Sequence, residues 1–218
     1  MDRRTFLAGS GGLALFGLAG CLGAVGLDEH TASPATVDST TRSETGYEQT
    51  NVEEMVIREP IEVSGYSEEV VVTNYLTTLE KDVEIPVAGT KPLANFLVLT
   101  TPQVSILGRE FNPVGDMSSE ELLDLIVANY DEIGSVSHDR DETVTILDQE
   151  TTASMFDGKA TFEGNELDVK IHVSESVETA SDLLVCVGVY PRSIIDVEAD
   201  TVRRLMENVV EDVEGADE

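Results

Sequence analysis

The sequence has 218 residues, of which 43 are Asp or Glu and 13 are Lys or Arg, so its formal net charge is −30. Hydrophobic residues make up 41% of the chain. This composition excludes a disordered chain, because disorder requires high charge together with too little apolar material to bury. The acidic field also excludes nucleic acid as an expected partner and disfavours anionic membrane surfaces.

Residues 1–20 are predicted to form an export signal. Arg3 and Arg4 precede an uncharged run rich in Gly, Ala and Leu, and paired arginines in this position indicate recognition by the twin-arginine export machinery. The run ends in Leu18-Ala19-Gly20-Cys21, which resembles a lipobox. Cys21 is therefore expected to become the first residue after cleavage and to carry a lipid that anchors the chain at the extracellular face of the cell membrane.

The alternative is a retained membrane helix over Phe6–Leu22, whose length lies at the lower limit for spanning a bilayer. The glycines within this run weaken it as a helix. Both interpretations hold the remaining chain outside the cytoplasm and close to a membrane.

Three further regions are predicted after the signal. Residues 21–45 are rich in Ser, Thr, Gly and acidic residues and are expected to form a flexible tether, with a short helix near Ala35–Ser43. Residues 46–213 are expected to form a single domain, and residues 214–218 an acidic tail.

The first half of the domain is predicted to be mostly strand. Val52–Val63 and Glu69–Leu79 are rich in β-branched residues and flank turn residues, which predicts a hairpin. Ala94–Thr100 and Val104–Leu107 flank Pro102. Because proline cannot donate a hydrogen bond to a neighbouring strand, an edge or a bend is expected there.

Two helices are predicted from their start signals and apolar spacing. Ser118 and Glu121 form a capping box that opens the first, and the second spans Glu198–Val213. The apolar positions of the first are Leu122, Leu123, Ile126, Val127, Tyr130 and Ile133. Those of the second are Val202, Leu205, Met206, Val209, Val210 and Val213.

Four more strands are predicted between these helices: Thr143–Leu147, Thr151–Phe162, Leu167–Ser174 and Leu183–Tyr190. The turn residues 163–166 predict a second hairpin. Lys170, His172 and Ser174 alternate with apolar residues, which predicts one solvated face and a surface histidine. The uninterrupted apolar run Leu183–Val189 predicts a central strand covered on both faces.

This order of elements predicts an α+β fold, in which a curved antiparallel β-sheet has two main helices packed on it. The order loosely resembles the fold of the photosystem II extrinsic subunit and its relatives. A fold of this kind does not by itself imply a function.

No catalytic constellation, metal site or cofactor site is predicted. The three histidines lack metal-ligand spacing, and no nucleotide or nucleophile motif is present. Cys186 lies in the apolar run Leu183–Val189 and is expected to be an inert core residue. Residues 138–142, His-Asp-Arg-Asp-Glu, have two open interpretations: a site for a hard cation, or a solvated loop.

The most distinctive irregular segment runs from Leu107 to Met117. One interpretation is a ligand loop built on Arg109, Asn112 and Asp116, which leads into a helix N-terminus that favours anions. The other is a structured connection in which Phe111 enters the core and Asp116 or Ser118 caps the helix.

Several segments together resemble a haloarchaeal family of predicted twin-arginine lipoproteins with a domain of unknown function. They are Arg3-Arg4, Leu18–Cys21, Ser43–Tyr47, Thr73–Leu76, Thr101–Val104, Gly108–Ser118, Phe156–Thr161 and Val187–Pro191. The resemblance implies source, export and anchoring, and no site residue beyond Cys21, Arg3 and Arg4. Strong acidity with only four lysines also resembles proteins of salt-accumulating archaea.

The leading functional hypothesis is therefore an exported, lipid-anchored surface domain of a halophilic archaeon that binds an envelope partner without catalysis. A ligand-binding lipoprotein that works with a transporter is the alternative. An extracellular enzyme is a third hypothesis, and no residue is assigned to it.

Overall fold

The structure is a computed structural model that describes residues 29–63, 66–85, 89–106, 109–110, 114, 117–123, 133–162 and 165–211. The predicted signal and lipidation site lie outside these residues, as do the acidic tail 214–218 and most of the segment 107–117. In the part of the chain that the structure describes, no helix is long and apolar enough to cross a membrane.

Strands make up most of the described chain. The strands are β1 (Glu29–Thr31), β2 (Thr36–Val37), β3 (Glu48–Val63), β4 (Tyr66–Ile85), β5 (Gly89–Pro102), β6 (Ser105–Ile106), β7 (Arg109–Glu110), β8 (Ile133–Ile146), β9 (Gln149–Phe162), β10 (Asn165–Ser174), β11 (Val177–Glu178), β12 (Asp182–Pro191) and β13 (Val209–Val210). The described helices are α1 (Ser39–Thr45), α2, of which residues 119–123 are described, and α3 (Ile195–Glu207), the last preceded by a 3-10 turn at Arg192–Ile194. Ile126, Val127 and Tyr130, predicted on the first helix, lie outside the described residues.

Nine of these strands form one open sheet. Strand β4 pairs with both β3 and β5, and from β5 the order continues β12-β10-β9-β8. The long strands are antiparallel, as predicted, but β1 runs parallel to β4, so the sheet is mixed. Both predicted hairpins are confirmed, since Val63 pairs with Tyr66 and Phe162 with Asn165.

The larger core lies between α3 and one face of the sheet. The α3 side chains Val202, Leu205 and Met206 are fully buried against residues of β4, β5, β8 and β12. Gly188 of β12 makes this contact possible, because a Cβ atom there would lie 2.6 Å from Val202 Cγ1. Glycine therefore sets how closely the helix approaches the sheet.

The second core lies on the opposite face, where Leu122 and Leu123 of α2 join Ile171, Val173 and neighbouring apolar residues. Strand β12 contributes to both cores and is buried along nearly its whole length, which confirms the predicted central strand. The predicted capping box is also present, because the N–H and Oγ of Ser118 both donate to Glu121 Oε2.

The structure corrects the predicted tether. From Glu29 onward the segment is folded: β1 pairs with β4, Ala35 and Val37 are buried, and α1 begins after Asp38, whose side chain accepts from the N–H groups of Thr40 and Thr41. The domain therefore begins before residue 46. The reason is that small residues such as Ala32 and Ala35 fill core positions that composition alone assigned to a linker.

Both predicted helix ends also change. Helix α3 ends at Glu207, because Val209 and Val210 form β13 and pair with Val37 and Thr36; Val213 lies outside the described residues. Ile133, predicted on the first helix, begins β8 and pairs with Ala160. In both places apolar residues at helical spacing pair with a neighbouring strand instead.

Candidate functional site: a basic cluster beside the last helix

Polar side chains of β10 lie buried on the face of the sheet that carries α3. Since Val169, Ile171 and Val173 belong to the core on the α2 side, the alternating Lys170 and His172 point the opposite way. Both are at most 2% exposed, so the predicted solvated face and surface histidine are wrong. The alternation correctly separated the two faces, but it did not show that charged neighbours cover the polar one.

Lys170 is the centre of an ion-pair network. Its Nζ lies 2.7 Å from Asp139 Oδ2 and 3.0 Å from Asp157 Oδ1. Arg192 Nη1 is also 3.0 Å from Asp157 Oδ1, and Arg140 Nη1 is 3.5 Å from Asp139 Oδ2. The hydrogen bond from Lys170, followed by the charges of Lys170, Arg140 and Arg192, lowers the pKa of Asp139 below its usual value.

His172 adjoins this network. Its Nε2 lies 2.9 Å from Tyr190 Oη, and its Nδ1 lies 3.8 Å from Glu142 Oε1 without a hydrogen bond. The other oxygen of Glu142 accepts from Arg203 Nη2 at 2.8 Å. Burial lowers the pKa of His172 from 6.5 to about 4, and the nearby charges of Arg140, Lys170 and Arg203 act in the same direction.

We call Arg140, Lys170, Arg192 and Arg203 the basic cluster. Lys170 is buried, whereas the side chains of Arg140, Arg192 and Arg203 are 51%, 57% and 40% exposed. Each exposed guanidinium group has more donors than its present carboxylate partner uses, and guanidinium groups bind carboxylate and phosphate well.

The cluster differs electrostatically from the rest of the chain. Its four cations lie beside four carboxylates, those of Asp139, Asp157, Glu142 and Asp200, so these eight groups have no formal net charge. The formal charge of −30 therefore arises entirely elsewhere.

A second buried ion pair holds the start of α3. Glu198 Oε1 accepts from Tyr47 Oη at 2.8 Å, and its Oε2 accepts from Lys81 Nζ at 2.9 Å. Burial, followed by the charge of Glu198, raises the pKa of Tyr47. Both carboxylate oxygens have partners, so this group serves as a structural link between α3, β4 and the start of β3.

An apolar groove of about 360 Å³ lies on the α2 side of the sheet. Its lining includes Leu97, Ile133, Phe162, Leu167, Val169 and Val189, with a few polar side chains such as Asn95 and Thr161. It has the size of a small-molecule site, and its lining is mostly apolar.

The structure places few of the sequence-predicted site residues. Arg3, Arg4, Cys21, Asn112 and Asp116 lie outside the described residues. Arg109 lies in β7 opposite Ile106. Both interpretations of the 107–117 segment therefore stay predictions, although Ser118 is the residue that caps α2.

Residues 138–142 form part of edge strand β8 rather than a loop, and residues 138–141 are exposed, as the solvated interpretation predicted. Their side chains are engaged with Lys170, Arg203 and, between His138 and Asp141, with each other. Among the residues that the structure describes, no group of three or more His, Cys, Asp or Glu side chains is arranged to hold a metal ion.

The basic cluster itself was missed from the sequence. Lys170 and Asp139 are 31 positions apart, and Arg203 and Glu142 are 61 apart, so no local motif connects them. The only local signal was the alternation of Lys170 and His172 with the apolar residues Val169, Ile171 and Val173.

Comparison with protein families decides what this chain is related to. A family model described as a domain of unknown function (DUF6517) matches residues 34–210. The chain belongs to this family. The match begins near β2 and ends with β13, so the DUF6517 domain coincides with the folded region rather than with residues 46–213.

A comparison with curated proteins gave no match. Among solved structures, nine chains match, including the crystal structure of PA94, a protein of unknown function from Pseudomonas aeruginosa. It is 12% identical, covers 70% of this chain and 96% of its own, and has a TM-score of 0.34. Similarity at this level transfers no function.

Proposed function

We propose that this DUF6517 protein is an exported domain, anchored at the extracellular face of the cell membrane of a halophilic archaeon, that binds an envelope partner without catalysis. The export and anchoring parts rest on Arg3-Arg4 and on the lipobox that ends at Cys21. The binding part rests on the structure of the described domain.

The observation that supports binding is the basic cluster, where four of the chain's 13 Lys and Arg residues meet beside α3. Proteins adapted to molar salt carry surplus carboxylates, so a partner from the same envelope is expected to be acidic too. The exposed guanidinium groups of Arg140 and Arg192 suit the carboxylates of such a partner. We therefore place the partner contact at these two arginines.

Lipid anchoring is tested with Cys21→Ser in the full chain, expressed in haloarchaeal cells. The domain should appear in the medium instead of in the membrane fraction, and Cys186→Ser, which removes the other cysteine, should leave it in the membrane. Retention of the Cys21→Ser chain in the membrane would instead support an uncleaved helix over Phe6–Leu22.

Partner binding is tested by pull-down from native membranes in molar salt. The wild-type chain should retain a stoichiometric acidic protein, and Arg140→Glu with Arg192→Glu should lose it. Lys91→Glu is the matched control, because this lysine lies on β5 opposite Val83, and β12 separates that strand from β10 and the basic cluster. Equal capture by all three chains contradicts the assignment of the contact.

The halophilic origin has its own test. At low salt the charge of −30 repels itself, whereas at about 1 M salt the screening length falls to about 3 Å. Circular dichroism should show a melting temperature that rises steeply between about 0.1 M and about 3 M salt, the range over which this screening develops. An unchanged melting temperature over this range argues against adaptation to high salt.

The apolar groove supports a second candidate, a ligand-binding lipoprotein that works with a transporter, because its volume of about 360 Å³ falls in the range of small-molecule sites. Native mass spectrometry of protein extracted from its own membranes should then detect a bound apolar molecule. Val189→Phe, which fills the groove, should remove it. A ligand-free wild-type protein argues against this candidate.

A further inference from the structure

Strand β3 forms a long, regular edge of the sheet. It has 16 residues, and its pairing with β4 runs without a register shift from Asn51 to Val63. At Val71–Thr73, β4 pairs with β3 and also with β1, so these two strands lie on opposite sides of β4. No other described strand pairs with β3, which leaves its outer backbone groups available.

The opposite edge, β8, is different. Its pairing with β9 shifts register twice, between Gly134 and Ser137 and between His138 and Arg140. Ser135 there has a φ of 52°. Bulges of this kind twist an edge strand and prevent pairing with another chain. Strand β3 has no bulge after Asn51. Its protection against pairing consists of Pro60, near one end, and of its charged side chains.

The exposed apolar residues point to the same strand. Among the described residues, three large hydrophobic side chains are exposed: Val56 at 38%, Ile57 at 48% and Val197 at 68%. Two of the three are neighbours at the middle of β3. Because successive side chains of a strand face opposite sides, both faces of this edge present an apolar residue.

We propose that two copies of the chain pair antiparallel along β3, with Val56 opposite the partner's Val56. In a two-fold symmetric antiparallel pair, residues equally distant from the central residue face each other. Five registers can be centred on residues 54–58. Only the one centred on Val56 places Arg58 opposite a carboxylate, that of the partner's Glu54. The two-fold symmetry repeats this pair, so it occurs twice. The same register also sets Ile57 opposite the partner's Met55.

This register carries a cost that also occurs twice, because Glu53 lies opposite the partner's Glu59 and Glu59 opposite the partner's Glu53. Like charges placed opposite each other destabilise a strand pair. Molar salt screens this repulsion, whereas it leaves the backbone hydrogen bonds and apolar contacts in place. The dimer is therefore expected in high salt and is independent of the partner contact proposed at the basic cluster.

Disulfide trapping tests the register. Val56→Cys is placed in the full chain, and isolated membranes are oxidised in molar salt and run on non-reducing gels. Opposed residues have Cα atoms about 5 Å apart, within disulfide range, so a homodimer should be the main species. Ile57→Cys places its two copies about 8 Å apart, beyond that range, and should give little dimer.

Two controls complete the trapping experiment. The wild-type chain reports any dimer formed through Cys21 or Cys186. Val197→Cys, an exposed position on α3, reports random collision. Dimer from Val197→Cys or Ile57→Cys at the level of Val56→Cys would overturn the register, and a crosslink of Val56→Cys to a different protein would show that another chain occupies this edge.

Charge exchange gives a second, independent measurement in the Val56→Cys background. When oxidation is carried out at the lowest salt in which the Val56→Cys chain stays folded, so that exposed charges are least screened, Arg58→Glu should lower the yield of trapped dimer, and adding Glu54→Arg to it should restore the dimer, because the opposite-charge pairs re-form in reverse. Far-UV circular dichroism confirms that both variants are folded. Failure of the double variant to restore trapping would overturn the pairing of Arg58 with the partner's Glu54.

Discussion

Replacing His172 with glutamine should remove an acid-sensitive part of the domain's stability. His172 is 1% exposed, and its pKa falls from 6.5 to about 4 because of burial and the charges of Arg140, Lys170 and Arg203. Glutamine places an amide near the position of Nε2, so it retains a hydrogen bond to Tyr190, but it does not take up a proton.

The direction and size of this change in stability with pH follow from proton linkage. Below pH 6.5 the unfolded chain binds a proton at this histidine while the native chain does not, so stability is lost as pH falls from 6.5 toward 4. With these two pKa values, the free energy of unfolding drops by about 2 kcal/mol by pH 5 and about 3 kcal/mol by pH 4. The nearby Glu142 carboxylate opposes this loss, but its charge is partly neutralised by Arg203.

The assay is urea unfolding followed by circular dichroism at constant molar salt, from pH 8 to pH 4. The carboxylates respond equally in both chains, so the difference between wild type and His172→Gln isolates the histidine. His138→Gln is the control: His138 is exposed, and its hydrogen bond to Asp141 raises its pKa, so its contribution is lost as pH rises. Parallel pH profiles for wild type and His172→Gln would refute the reasoning.

Three other predictions concern packing and burial. Lys81→Met should lower the free energy of unfolding by about 3 kcal/mol, because it leaves the Glu198 carboxylate buried without its cation. Adding Glu198→Gln should recover much of this lost stability. Urea unfolding measures both changes. Gly188→Ala should lower the free energy of unfolding by about 1–3 kcal/mol, because its Cβ would lie 2.6 Å from Val202. Adding Val202→Ala should relieve this contact and raise the melting temperature again. Cys186 should react with a thiol reagent only at the rate of global unfolding, because burial raises the pKa of its thiol and hides it; rapid labelling of the native protein contradicts this.

Features that depend on neighbouring residues were predictable from the sequence. The turn signals at residues 64–66 and 163–166 placed two hairpins, because a short link between two strand patterns leaves antiparallel pairing as the simplest connection. The apolar run Leu183–Val189 identified the central strand, since only a strand covered on both faces lacks polar positions. The capping box located the start of α2 by its two reciprocal hydrogen bonds.

Features that depend on distant residues were not predictable. Val209 fits the apolar stripe of α3, but its backbone pairs with Val37, more than 170 positions earlier in the sequence. The sequence alone predicts that His172 is a surface residue, because the residues that surround it, Tyr190, Glu142 and Arg203, are distant in the sequence. The same limit applies to the basic cluster, whose members come from β8, β10, α3 and the turn before α3.

The pairing of β13 with β2 has a consequence for the order of folding. Strand β2, near the start of the described chain, pairs with β13, the last strand described. Beside this pair, Asp38 N–H donates to Asn208 C=O. A chain still being synthesised therefore lacks β13, the strand that pairs with β2. Contacts between residues so far apart in the sequence form late in folding. Completion of the fold must wait for nearly the whole chain, and a truncation that removes residues 209–218, and β13 with them, would loosen the start of the domain.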